Sequence, residues 1–364
     1  MNTKNQQSHK DPAYEKAKRI AAEDVSELTS ATRSGMINSP EYLRPIAIGQ
    51  LPIWQEAAEY GIADGQYLYG MCLLDGLACP RDQREAVRWF QQAADQGHLT
   101  AITTLGICYE QGWGVRKNPA RAVVLYRKAA DRGLPSAQNN LAGCYYSGAG
   151  VEKDYGEAVA WFQKAADHGN VNAQFQLGLC YRLGQGIESD IEQAVEWCRY
   201  AADQGSDRAQ YLLGTYYSAG LGAPLDKVLA YCWYMKAAEQ GLAQAQCIVG
   251  LCLINGWGVD KDHRQAFSWL RKSAEQGWAA GQWRCGLCYE IGQCVKQDFR
   301  QAVHWYKKAA KQGYSIAAFH LASCYEAGRG VKKNVRLANK WRPKHIQASD
   351  STVEDSNDGA EDQE

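Results

Sequence analysis

The feature that most constrains this chain is a five-residue shape, Ala-Ala-x-x-Gly, that returns at intervals of thirty-six residues. It stands at Ala93–Gly97, Ala129–Gly133, Ala165–Gly169, Ala201–Gly205, Ala237–Gly241 and Ala309–Gly313, with Ser273–Gly277 as a near copy and Ala57–Gly61 as a weaker one. No insertion interrupts the spacing. A unit this short cannot bury an apolar face alone, so consecutive units must stack and share a core. A chain of 364 residues could hold two or three ordinary domains. The unbroken self-similarity instead predicts one array over residues 41–342.

Each unit reads as two helices separated by glycines. In the stretch from Gly133 to His168, Pro135 or Ser136 can begin a first helix. Ala137, Leu141, Ala142, Cys144 and Tyr145 then fall at spacings that make one apolar stripe. Gly148 closes that helix, as a residue tolerating positive φ should. The second helix carries Ala158, Trp161, Phe162 and Ala165. Small residues recur in two columns, one through Gly70, Gly106, Gly178, Gly214, Gly250 and Gly286, the other through the alanines equivalent to Ala158. Glycine costs about 1 kcal/mol relative to alanine inside a helix, so its recurrence predicts close helix contact. The tryptophan column, Trp89 to Trp341 with Leu125 as the exception, is expected to supply the large side chain facing it.

Charge and composition narrow the function. Lysine plus arginine total 40 and aspartate plus glutamate total 40, so no overall basic excess draws the chain to nucleic acid or to an anionic membrane. The polar start, Met1 to Lys10, lacks the apolar stretch of a secretory signal, and no run of eighteen apolar residues predicts a membrane span. A cytoplasmic location is expected. Seven of the thirteen cysteines share one repeat position, Cys72, Cys108, Cys144, Cys180, Cys252, Cys288 and Cys324, with no second column to pair with them. Buried free thiols packing as small hydrophobes suit that column and a reducing compartment.

With turns such as Gly112-Trp113-Gly114-Val115, Gly184-Gln185-Gly186-Ile187 and Gly328-Arg329-Gly330-Val331, the units from about Gly61 to Trp341 resemble Sel1-like repeats, relatives of tetratricopeptide repeats. Gly76-Leu77-Ala78-Cys79 and Gly292-Gln293-Cys294-Val295 depart by losing the second glycine. The resemblance implies an all-α fold, a right-handed α/α superhelix of 36-residue helix-turn-helix repeats with a concave face. It also implies an adaptor or scaffold that binds a protein or peptide partner. Some secreted relatives pair cysteines inside each repeat, a pattern this chain lacks.

Catalytic constellations are sparse. Cys285-Gly286-Leu287-Cys288, with Cys294 nearby, is the one candidate for a redox pair or half a metal site. It lies in mid-helix rather than at a helix start, where a thiolate would be stabilised, and no fourth ligand stands at a structural-zinc spacing. His98, His168 and His263 sit at repeat ends or turns and read as solvated. Neither a His-Glu-x-x-His nor a phosphate-cradling loop occurs. The reading is therefore a protein with no catalytic, cofactor or metal site. A cysteine-dependent enzyme or redox protein, and a secreted bacterial effector or regulator, stand as the alternatives.

By the same resemblance, the first helices line the concave face, and its exposed stripe follows the columns of Asn139, Gly143 and Tyr146. The candidate partner-binding residues are Phe175, Leu179, Arg182, Tyr211, Thr215, Leu251, Trp283, Leu287 and Glu290, aromatic anchors with a few charges. Residues 1–40 read as a mobile arm with a helix around Pro12 to Leu28. Leu51 and Trp54 are available to cover the exposed end of the stack. Residues 343–364 read as a disordered acidic tail.

Overall fold

The computed structural model describes residues 12–33 and 40–342. The acidic tail expected at 343–364 lies outside the described residues, which form eighteen helices and no strand. The helices run α1 (Pro12–Arg33), α2 (Pro40–Glu59), α3 (Ala63–Asp75), α4 (Gln83–Asp95), α5 (Leu99–Gln111), α6 (Pro119–Ala130), α7 (Pro135–Ser147), α8 (Tyr155–Asp167) and α9 (Val171–Leu183). They continue as α10 (Ile191–Asp203), α11 (Asp207–Ala219), α12 (Lys227–Glu239), α13 (Ala243–Asn255), α14 (His263–Glu275), α15 (Ala279–Ile291), α16 (Phe299–Lys311), α17 (Ser315–Ala327) and α18 (Val335–Trp341). From α3 onward, odd-numbered helices open a repeat and even-numbered helices close it. The chain forms two compact units, and their division falls inside α11. The N-terminal unit takes residues through Tyr216 with Leu221–Pro224, and the C-terminal unit takes Tyr217–Gly220 and everything from Leu225 onward.

Local chemistry sets the helix ends. Every second helix starts behind an Asp or Asn whose side chain accepts backbone N–H bonds in the first turn. Asp82, Asp154 and Asp190 do this in the N-terminal unit, Asp262 and Asp298 in the C-terminal unit. The first helices end on a left-handed glycine. At Gly112, φ is 83°, and the carbonyl of Cys108 accepts both Gly112 N–H at 2.8 Å and Trp113 N–H at 3.0 Å. Asn118 N–H then returns to the Tyr109 carbonyl at 2.7 Å, closing the turn. The second turn glycine has a different reason. A methyl at Gly114 would lie 2.0 Å from the Gln83 carbonyl oxygen, at the start of the preceding second helix. Ala78 takes this place in the first repeat and is the one non-glycine residue with positive φ among the described residues, at 58°.

The glycine column packs against a different partner from the one expected. Methyl groups at Gly70, Gly106 and Gly286 would sit 2.7, 2.6 and 2.5 Å from the rings of Phe90, Tyr126 and Tyr306. Gly178 faces Cys198 and Gly250 faces Leu270. The tryptophan one residue earlier points elsewhere, because adjacent helical positions lie about 100° apart, and it stays buried at Trp161, Trp233 and Trp305 and half-buried at Trp89, Trp197 and Trp269. Lys164, Lys236, Lys272 and Lys308 lie over Trp161, Trp233, Trp269 and Trp305 at 3.9, 3.7, 4.1 and 4.4 Å from the ring centres. Small does face large, but the large residue is the one after the tryptophan.

A glutamine ladder recurs in repeats of both units, although the second repeat, with Ile102 and Arg132 at these positions, lacks it. The glutamine before the final glycine donates to a buried glutamine on the first helix thirty residues earlier. Gln96 reaches Gln66 at 2.8 Å, Gln204 reaches Gln174 at 2.7 Å, Gln276 reaches Gln246 at 2.7 Å and Gln312 reaches Gln282 at 2.9 Å. The buried partner in turn donates to a carbonyl of the preceding repeat, as Gln246 does to Ala238 at 3.2 Å. His168 breaks the ladder by turning to the Lys164 carbonyl, and the Gln138 Oε1 it should meet is buried without a hydrogen bond.

At the start of the N-terminal unit, the helix expected around Pro12 to Leu28 is present as α1. Helix α1 buries Tyr14, Ala17 and Ala21 in one cluster with Trp54 and Ala57. Trp54 Nε1 donates to Asp24 at 2.7 Å. Trp54 is therefore itself covered, because the apolar stripe of α1 finds a surface to bury.

Candidate partner-binding surface

In five repeats a residue at the end of the first helix meets a residue sixteen positions later, on or just after the second helix, and the two are chemically matched. Tyr126 donates its hydroxyl to Glu110 at 2.7 Å and Tyr306 to Glu290 at 2.5 Å. The hydroxyls of Ser218 and Tyr234 pair at 3.2 Å. Arg342 holds both oxygens of Glu326 at 3.0 and 2.9 Å, and the Tyr146 ring meets Phe162 edge-on at 6.5 Å between centres. One column of the expected recognition stripe, Tyr146, Ser218 and Glu290 included, therefore also fastens the two helices of a repeat together.

On the N-terminal unit the first helices border a cleft of about 660 Å³. Ile107 and Glu110 contribute from α5, Asn139, Asn140 and Gly143 from α7, and Asn172, Phe175 and Gln176 from α9, with Phe162 between them. Ser206, Asp207 and Arg208 also line it. Asn139 Nδ2 donates to Asn140 Oδ1 at 3.3 Å, whereas Asn139 Oδ1 has no hydrogen-bond partner. Nothing lies within 4 Å of where a Gly143 side chain would begin. Phe175 is half-buried and lines this cleft. Leu179, Tyr211 and Thr215 are half-buried and Arg182 is exposed, but none of the four borders it. Thr215 Oγ1 is turned back to the Tyr211 carbonyl at 3.1 Å.

The C-terminal unit gathers part of the remaining stripe. Leu251, Trp283 and Leu287 are half-buried on α13 and α15. Arg284 lies over the Trp283 ring at 4.2 Å, with Tyr314 and His320 at 5.9 and 6.1 Å. His320 Nδ1 donates to Glu290 Oε2 at 3.0 Å, and an Arg329 nitrogen stands 3.9 Å from Oε1. The hydrogen bond from His320 lowers the Glu290 pKa against the opposing effect of burial, with Tyr306 and Arg329 adding to it. This carboxylate is committed to its neighbours.

The cysteine and histidine candidates resolve individually. Burial pushes Cys285 up to about 12, as it does Cys72, Cys108 and Cys144. Cys288 is raised, first by its hydrogen bond to Cys294 and then by burial, and the same bond lowers Cys294. The repeat thiols are therefore protonated and inert near neutrality. Among the described residues no three His, Cys, Asp or Glu side chains group as metal ligands. His98 is not solvated as expected: its Nδ1 accepts from Ala101 N–H at 3.0 Å, its Nε2 meets Asp64 at 3.1 Å, and its ring stacks on Tyr67. His168 is exposed, and His263 Nδ1 is buried without a hydrogen-bond partner.

The Sel1 repeat model matches residues 63–98, 101–134, 135–170, 171–206, 207–242, 243–278, 279–314 and 315–341. The chain belongs to the Sel1 repeat family. Sel1 repeat proteins commonly serve as protein–protein interaction scaffolds and are typically non-catalytic. A crystal structure of a protective antigen from uropathogenic Escherichia coli is similar at 36% identity and a TM-score of 0.71, covering 82% of this chain and 64% of the antigen. This chain thus spans less than two thirds of that protein's length. A Sel1 repeat protein from Oxalobacter formigenes is similar at 31% identity and a TM-score of 0.61, covering 70% of this chain and 99% of that one. None of the curated proteins compared with the chain matched it. Among the described residues no helix is long and apolar enough to cross a membrane.

Proposed function

We propose that this Sel1 repeat protein is a non-catalytic cytoplasmic scaffold that holds a protein or peptide segment of a partner in the cleft around Phe175. The observation that carries the reading is the pairing of an apolar floor with an unused acceptor. Phe162 and Phe175 border the same space as Asn139, whose Oδ1 is buried without a hydrogen bond and becomes available to a ligand when the side chain turns toward the cleft. A peptide offers both complements, a side chain for the floor and a backbone N–H for the amide. Glu110 and Asp207 offset Arg208 in the lining, which disfavours nucleic acid. Leu179, Arg182, Tyr211 and Thr215 extend the surface on the N-terminal unit. Leu251, Trp283 and Leu287 form a second contact stripe on the C-terminal unit, with Glu290 at its edge holding Tyr306 and His320 in place. Thirteen cysteines without a disulfide support the cytoplasmic assignment.

Capture with a photoreactive residue in place of Gln176, compared with one in place of the exposed second-helix residue Val124, identifies the partner and tests the surface together. The expected outcome is capture at 176 alone, followed by at least about a tenfold loss of affinity in Phe175→Ala, near 1.4 kcal/mol. Equal capture at both positions, or unchanged affinity in Phe175→Ala, would refute the cleft.

A further inference from the structure

A formal net charge of zero conceals a sharp separation of sign toward the C-terminal end of the described residues. From Lys296 to Arg342 the sequence holds eleven lysines and arginines and two acids, Asp298 and Glu326. Both acids are engaged: Asp298 accepts the first-turn N–H groups of α16, and Glu326 is held by Arg342. The basic residues are not scattered. Arg300, Lys307 and Lys311 follow one another at spacings of seven and four along α16, which sets them on one side of the helix; His304 lies between them, its pKa lowered by partial burial and by Lys308. Arg336 and Lys340 on α18 stand one repeat beyond Arg300 and His304. The intervening turn carries Lys332 and Lys333 and lies against the start of α16, where a methyl at Gly330 would come 2.7 Å from Arg300 N. All of these residues are exposed, and none of the lysines or arginines among them forms an ion pair with a described residue.

The charge reversal is specific to this place. The repeat position of Lys311 is Asp95, Asp131, Asp167, Asp203, Glu239 and Glu275 in the six preceding repeats. A short distance along the chain, residues 350–364 carry seven acids, Asp350, Glu354, Asp355, Asp358, Glu361, Asp362 and Glu364, and no base. We propose that this acidic segment docks in cis on the basic face of α16 and α18 and masks it. The eight residues from Arg342 to Asp350 can span up to about 26 Å. Packed helices lie about 8–10 Å apart, so both basic stripes are within reach. Exposed ion pairs are individually weak and screened by salt. The tether compensates by raising the effective concentration of the segment to about millimolar.

Zero-length carbodiimide cross-linking of the full chain, mixed from light and nitrogen-15-labelled protein at low salt, tests the docking. The expected products join acids of 350–364 to Lys307, Lys311, Lys332, Lys333 or Lys340 within one isotopic form, and they vanish at about 1 M salt. Cross-links between light and heavy chains assign the face to a second copy and overturn the proposal, as do links confined to distant lysines such as Lys117 and Lys153. A second measurement uses a fifteen-nucleotide single-stranded DNA as the anionic probe. A full chain with the seven acids changed to Asn or Gln should bind it at least about tenfold more tightly than the unaltered chain. Equal binding by the two chains means that the face is open to an external polyanion, and the masking is wrong.

Discussion

His168 fills the position that Gln204, Gln276 and Gln312 occupy in other repeats, and its substitution leaves Gln138 Oε1 buried without a donor. Restoring the donor with His168→Gln should raise stability by about 1 kcal/mol, read from the urea midpoint at unchanged m-value. No gain would mean that the ladder is geometrically incidental. Thiol chemistry gives a second residue-level expectation. With a disulfide reagent on native protein at neutral pH, the exposed Cys232 and the lowered Cys294 should react ahead of Cys285, whose pKa lies at about 12. Fast labelling of Cys285 would restore the redox reading. Glu290 supplies a pH signature, since its folded pKa is lowered. Its stabilisation is complete above the ordinary carboxylate pKa of about 4.3 and is lost as pH falls through the lowered value. Melts of the native chain and Glu290→Gln should differ at pH 7 and converge in acid.

At the scale of helices and turns, two glycines with similar backbones separate strain from contact. Gly133 has φ of 84° and open space around it, whereas Gly114 has φ of 67° and the Gln83 carbonyl directly in the way. Gly133→Ala should cost about 1–2 kcal/mol for the left-handed backbone alone, and Gly114→Ala distinctly more, because the repeat junction must open. Equal losses would contradict the junction contact. Likewise Phe162→Ala should cost about 3–5 kcal/mol and exceed Trp197→Ala, since Phe162 is buried and Trp197 half-buried. The helices, their glycine ends and the burial of the cysteine column were legible because they repeat as residue types every thirty-six positions. The partner of the glycine column was not, because two neighbouring bulky columns both offer a filler and only the helix rotation chooses between them. The stripe through Phe175 rested on the resemblance to tetratricopeptide arrays, and no local signal in the sequence marks the cleft. The commitment of Glu290 was not legible either, because its partners Tyr306 and His320 lie sixteen and thirty residues away, on other helices.

Across the whole chain, the recurring contacts sort by kind. The specific side-chain pairs, Tyr126 with Glu110 and Gln204 with Gln174, fall inside a single repeat as the family model delimits it. Between repeats the recurring acceptors are main-chain carbonyls: Ala130 and Ala166 for Gln138 and Gln174, Ala274 for Gln282. Removing residues 243–278 should therefore leave a helical, cooperatively unfolding protein with a smaller m-value. Removing thirty residues from the same place should not. Circular dichroism and urea melts distinguish the two, and equal damage would show that the register is unimportant.

A carbonyl oxygen is the same whatever side chain its residue bears, so the hydrogen bonds at the junctions, unlike the apolar packing there, are blind to most of the sequence they join. A lineage carrying such a chain can copy or discard a repeat in one genetic event without a second mutation to repair the seam. Exceptions such as Arg127 with Tyr145, Tyr146 with Gln185, and His320 and Arg329 with Glu290, which meet across a boundary, mark places where the order of repeats is less free to change.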